Sequence, residues 1–106
     1  MIKLQDAQTA VNTGSSFFIE EAYRKDKRLV QTKWVNGAGQ TQGTVKVYGR
    51  NAPTLDWELI VTINYNDTQR AWPIQVFHEM KADVTALNGT SSSVTVSLDA
   101  GNVAVV

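Results

Sequence analysis

Cysteine is absent from this 106-residue chain. That excludes disulfides, thiolate-bound metals and a cysteine nucleophile, and it leaves the redox compartment open. Charge of one sign is also lacking: ten Lys and Arg balance ten Asp and Glu, for a net charge of zero. A dedicated nucleic-acid binder carries a basic excess to displace counterions, and a membrane-surface module carries a polybasic patch. Neither nucleic acid nor membrane is therefore expected as a partner. No apolar run approaches the roughly 20 residues of a spanning helix. The start, Met1 to Asp6, lacks the apolar stretch of a secretory signal, so a cytosolic product is expected. Histidine occurs once, as His78, and proline twice, as Pro53 and Pro73.

What is present is a two-residue rhythm. Val94 to Leu98 reads Val-Thr-Val-Ser-Leu, apolar and polar in turn. Successive strand side chains point to opposite faces, so such a segment buries one face and wets the other. The same pattern places Val30, Thr32 and Trp34 on one face, Val45 and Val47 on another, and Trp57, Leu59, Val61 and Ile63 on a third. Phe17 and Ile19 mark a further short strand. Ile74 to Thr85 reads as one long strand or two, with Val76, His78, Met80, Ala82 and Val84 on the apolar side; a helix competes over Gln75 to Lys81. Asn36-Gly37-Ala38-Gly39 and Leu87-Asn88-Gly89-Thr90 read as hairpin turns. Roughly six or seven short strands with regular turn signals predict an all-β, antiparallel β-sandwich, of jelly-roll or immunoglobulin-like kind. An apolar content of 42 % suits one packed domain. Its expected limits are residues 15–106, preceded by an extended N-terminal arm over residues 1–14.

Chemistry-bearing constellations are sparse. His78 has no nearby nucleophile motif and reads as a half-buried strand histidine, so no catalytic residue is expected. The carboxylates fall in loops or on the polar side of strands, where solvation is expected. Asn64-Tyr65-Asn66-Asp67 lacks calcium-loop spacing and reads as a turn. No metal and no cofactor are predicted. Trp34 and Trp57 lie on apolar parity and are expected in the core. Trp72, beside Pro73, is expected to be exposed or interfacial.

The ends and one charged tip are the candidate contact surfaces. Ile2, Leu4 and Val11 stud an otherwise polar arm, which is either a frayed terminus or a strap laid on a neighbouring subunit. Arg24, Lys25 and Arg28 crowd a charged connection that is either a solvated tip or a contact for an acidic neighbour. Val103, Val105 and Val106 end the chain in an apolar stretch, which adds a strand either to the domain's own sheet or to a neighbour's.

Two stretches carry a resemblance. Gly43 to Asn51 followed by Trp57 to Ile63, and Ala82 to Thr90 followed by Val94 to Leu98, resemble elements of small β-sandwich virion structural proteins of tailed bacteriophages. The resemblance implies a non-enzymatic capsid decoration (cement) protein. It would be a homo-oligomer, with a trimer favoured, bound to the major capsid protein or other virion proteins and located in the virion. The alternatives are a tail or neck component, or a carbohydrate-binding module of a receptor-binding apparatus with exposed, coplanar tryptophans.

Overall fold

A computed structural model describes residues 1–101. Eight strands succeed one another: β1 (Ile2–Gln8), β2 (Phe17–Phe18), β3 (Arg28–Val35), β4 (Gly43–Arg50), β5 (Glu58–Asn64), β6 (Ala71–Ile74), β7 (Glu79–Leu87) and β8 (Ser93–Leu98). One short 3-10 helix, Glu21–Tyr23, precedes β3. The strands form two four-stranded antiparallel sheets, ordered β1-β8-β3-β6 and β2-β7-β4-β5. Within these sheets β1 pairs β8, β2 pairs β7, β3 pairs β6 and β4 pairs β5. This nested pairing is one long hairpin rolled up on itself. It is the jelly-roll wrapping, which resolves the choice left open by the sequence.

The alternating segments behave as their rhythm requires. Along β8, Val94, Val96 and Leu98 are fully buried, opposite Trp34, Thr32 and Val30 of β3. Along β4, Val45 and Val47 turn inward to meet Met80, Ala82 and Val84 of β7, with Ile63 of β5 beside them. Each such side chain contributes roughly 1.5–3 kcal/mol by leaving water. Gly49 also faces inward, and only glycine suits it. A Cβ there would lie 2.8 Å from Phe77 Cγ and 2.9 Å from Met80 Sδ.

Several sequence expectations are corrected. The N-terminal segment is not an arm. Ile2 and Leu4 are buried, and β1 closes the edge of the first sheet against β8. Gln5 is buried too, and its Nε2 donates to the Ala82 carbonyl of β7, 2.6 Å away. Asn12 then bridges Val84, so residues 2–12 seal one side of the sandwich across both sheets. Burying Leu4 and Gln5 consecutively requires the irregular β1–β8 register, which hides the alternation.

The two Asn-Gly signals are not hairpins. Residues 36–42 cross from the first sheet to the second, and residues 88–92 cross back. These loops bind each other instead. Ala38 bridges Thr90, and Asn88 Oδ1 accepts from the backbone N–H of Thr41 and of Gln42. Gly39 and Gly89 hold the left-handed φ values, 75° and 96°, that such loops need. Among the described residues, only the β4–β5 connection stays within one sheet. The span Ile74 to Thr85 splits between sheets, and it contains no helix. His78 falls in the crossing segment, where it is exposed rather than half-buried.

Candidate functional site

Residues facing outward from the second sheet form an organised polar surface. Register dictates it. On β4 the outward positions are Lys46, Tyr48 and Arg50; opposite them on β7 stand Asp83, Lys81 and Glu79. Directly opposed side chains on one face touch, and opposite charges there attract.

Arg50 grips Glu79 through both forks. Its Nε donates to Oε1 at 2.7 Å and its Nη2 to Oε2 at 3.2 Å. The Glu79 side chain is only 4 % exposed. The Arg50 hydrogen bond holds the Glu79 carboxyl below the usual carboxylate range; burial opposes that shift, and a hydrogen bond from Ser16 reinforces it. The guanidinium carbon of Arg50 also lies 4.1 Å from the Trp57 ring centre. Lys81 Nζ is 5.0 Å from the same ring, 5.3 Å from that of Tyr48, and 3.3 Å from Asp83 Oδ2. Asp83 Oδ1 in turn accepts from the Gly14 backbone N–H. The result is a ladder of alternating cations and aromatic rings, fixed at both ends by carboxylates. Beside it the β4–β5 loop encloses a recess of about 400 Å³, lined by Arg50, Asn51, Leu55, Asp56, Glu58 and Phe77.

Trp57 reaches this surface because of a bulge. Val61 pairs with Val47, but Leu59 pairs with Tyr48, so Ile60 is an extra residue on β5. Beyond a bulge every side chain changes face. Val61 and Ile63 point inward as expected, whereas Trp57 and Leu59 point outward. Leu59 is 51 % exposed, and Leu55 in the adjoining loop is 52 % exposed. The core placement expected for Trp57 is thereby corrected.

The residues singled out from the sequence are scattered. Ile2 and Leu4 belong to the core, and Val11 is exposed in the connection after β1. Trp72 is not a loop residue. It lies on β6 opposite Val30, half-buried and packed on the core. Since β1 and β6 are opposite edges of the first sheet, these positions do not form one patch. Arg24 and Arg28 are committed internally: their Nε groups donate to the carbonyls of Ile19 and Tyr23, and Arg28 stacks 5.0 Å from the Tyr23 ring. Lys25 is exposed at the tip. Val103, Val105 and Val106 lie outside the described residues.

Sequence reasoning missed Arg50, Glu79, Lys81, Tyr48 and Asp83, and it placed Glu79 among solvated carboxylates. Their common signal was outward parity on two strands with opposite charges. Only register says which of them meet. Among the described residues no group of three His, Asp or Glu could hold a metal ion. The three tryptophans make no common platform, because Trp34 and Trp72 pack on the core while Trp57 faces out from the other sheet. Compared with known proteins, the chain matches no family model, no curated protein and no solved structure.

Proposed function

We propose that this chain is a structural protein of a tailed-phage particle, a homo-oligomeric decoration protein that binds the head surface through the outer face of its second sheet. The observation that carries the reading is the patch around Trp57. Contact hot spots favour Trp, Tyr and Arg in well-packed positions, ringed by neighbouring contacts that exclude water. Here Arg50, Trp57 and Tyr48 are fixed by Glu79 and Lys81, with Leu55 and Leu59 exposed alongside. The resemblance adds support. Of the stretches that carry it, Gly43 to Asn51, Trp57 to Ile63 and most of Ala82 to Thr90 fall on neighbouring strands of this same sheet, while Val94 to Leu98 lies in the other. A decoration protein needs a rigid scaffold and a sticky face rather than a reactive pocket, and several weak contacts linked within one oligomer sum through avidity. The carbohydrate alternative asks for coplanar exposed tryptophans, an arrangement that this fold does not assemble.

The test is incorporation. Particles from a host carrying the gene are purified on a gradient, and their proteins are quantified by mass spectrometry. The wild-type chain is expected in many copies per particle. Leu59→Glu together with Leu55→Glu is expected to lower occupancy at least tenfold while leaving the thermal midpoint of the free protein unchanged. A chain left in the soluble fraction, or a double variant incorporated as well as wild type, would overturn the reading.

A further inference from the structure

The four edge strands of the two sheets are not equally protected. Edges invite pairing with other chains, and proteins blunt them with short strands, prolines, bulges and charges. Edge strand β6 is four residues long and contains Pro73. Edge strand β2 has two residues. Edge strand β1 is irregular in register and carries Lys3 and Asp6. Edge strand β5 is the exception. Its residues Val61 to Asn64 run in regular register with β4, beyond the bulge at Ile60, and contain no proline and no charge. Among the described residues nothing pairs with its outer side.

The direction of its free backbone groups follows from the ladder. Tyr65 N–H donates to the Gly43 carbonyl at 2.9 Å. Bonding residues alternate along an antiparallel pair. Ile63 and Val61, opposite Val45 and Val47, therefore bond to β4, while Thr62 and Asn64 turn their N–H and C=O groups to the open edge. The Asn64 N–H is already taken by Asp67 Oδ2 at 2.8 Å, which ends the free run there. Thr62 is left at its centre with donor and acceptor both presented.

We propose that β5 is a self-association edge, where a second copy of this chain pairs antiparallel across a two-fold axis through Thr62. The segment is self-complementary in that register. The two Thr62 residues exchange N–H···O bonds, and Val61 of one copy faces Ile63 of the other on the inner side of the sheet. No like charges meet within the paired segment, and copies with zero net charge do not repel at long range. The two second sheets become one continuous sheet. Both Trp57 ladders then lie on the same outer face, which doubles the surface assigned above to the particle. An isologous contact of this kind closes as a dimer or an even-numbered assembly. It does not close as the trimer that the resemblance favours. The pairing itself stands apart from the particle reading.

Sedimentation equilibrium of the full chain, from micromolar to sub-millimolar concentration, tests it. A concentration-dependent dimer is expected for wild type. Thr62→Lys places two ammonium groups opposite each other at the axis; at least a tenfold weaker association is expected, together with a small fall in the thermal midpoint, because Lys46 stands opposite Thr62 within each copy. Amide hydrogen exchange on wild type gives a second readout, should the variant fold poorly. The Thr62 N–H is expected to gain protection as concentration rises, since an unpaired edge amide exchanges freely. A monomer at every concentration, a trimer, a Thr62→Lys chain that associates like wild type, or a Thr62 amide indifferent to concentration would each overturn the proposal. A monomer that still decorates particles would refute this contact and leave the particle reading intact; a dimer absent from particles would do the reverse.

Discussion

Replacing Arg50 by methionine would strand the Glu79 carboxylate. That side chain is 4 % exposed and receives both forks of the guanidinium. Removing one partner of a buried pair costs about 3–5 kcal/mol, because the remaining charge stays desolvated. Arg50 is itself 19 % exposed, so the lower end, about 3 kcal/mol, is the appropriate figure. Losing the stack on Trp57 adds roughly 0.5–1 kcal/mol. Urea unfolding followed by tryptophan fluorescence reads the change directly. With a slope of about 1.5 kcal/mol per molar, the midpoint at pH 7 is expected to fall by roughly 2.5 M.

The pH dependence sharpens this prediction. In the wild type the folded-state pKa of Glu79 is depressed, chiefly by the Arg50 hydrogen bond. Its contribution is therefore complete above the pKa of the unfolded carboxylate and is lost as pH falls through the folded value. In Arg50→Met only burial and the Ser16 bond remain, and burial favours the protonated acid. The gap between wild type and variant is thus expected to narrow on acidification. A midpoint shift corresponding to less than about 1 kcal/mol at pH 7 would place the pair among surface salt bridges and refute the reasoning. So would a gap that widens in acid. Replacing both partners, Arg50→Met with Glu79→Met, is expected to recover most of the loss, since no lone charge is then left behind.

Three further predictions concern the scaffold. Leu4→Ala is expected to cost about 2–5 kcal/mol in chemical denaturation, as a core residue does and a strap laid on a neighbour does not. Gly49→Ala pushes a methyl group against Phe77 and Met80 and is expected to lower stability by about 1–3 kcal/mol, read from the same urea curves. His78→Ala is expected to stay within about 0.5 kcal/mol of wild type at pH 7, since the residue is exposed in the crossing between β6 and β7.

The legible parts of this fold are those where side-chain chemistry repeats locally. Val94 to Leu98, Val45 and Val47, and Met80 to Val84 read correctly because each sits on a regular strand with one dry face. Trp57 and Leu59 read wrongly because one extra residue, Ile60, inverts the pleat between them and Val61. A bulge is a property of two strands in register and has no local signature in a Leu-Ile-Val run. Asn36-Gly37 and Asn88-Gly89 do separate strands, but the hairpins read there are crossings between the two sheets. Turn chemistry fixes backbone angles and does not choose the next strand's sheet. The ladder was hidden for a related reason. Arg50 and Glu79 stand 29 residues apart and meet only because β4 and β7 pair at that register.

Alternation, turn residues and the absence of thiols were sufficient for an antiparallel β-sandwich with no disulfide, since strand periodicity and residue type act over a few neighbouring positions. Tertiary structure decided the nested jelly-roll order, the absorption of Ile2 and Leu4 into the core, the inward turn of Trp72, and the outward surface built from Arg50, Trp57, Tyr48, Lys81 and Glu79. Each depends on which distant strands lie side by side, and that choice is made by burying the whole core at once.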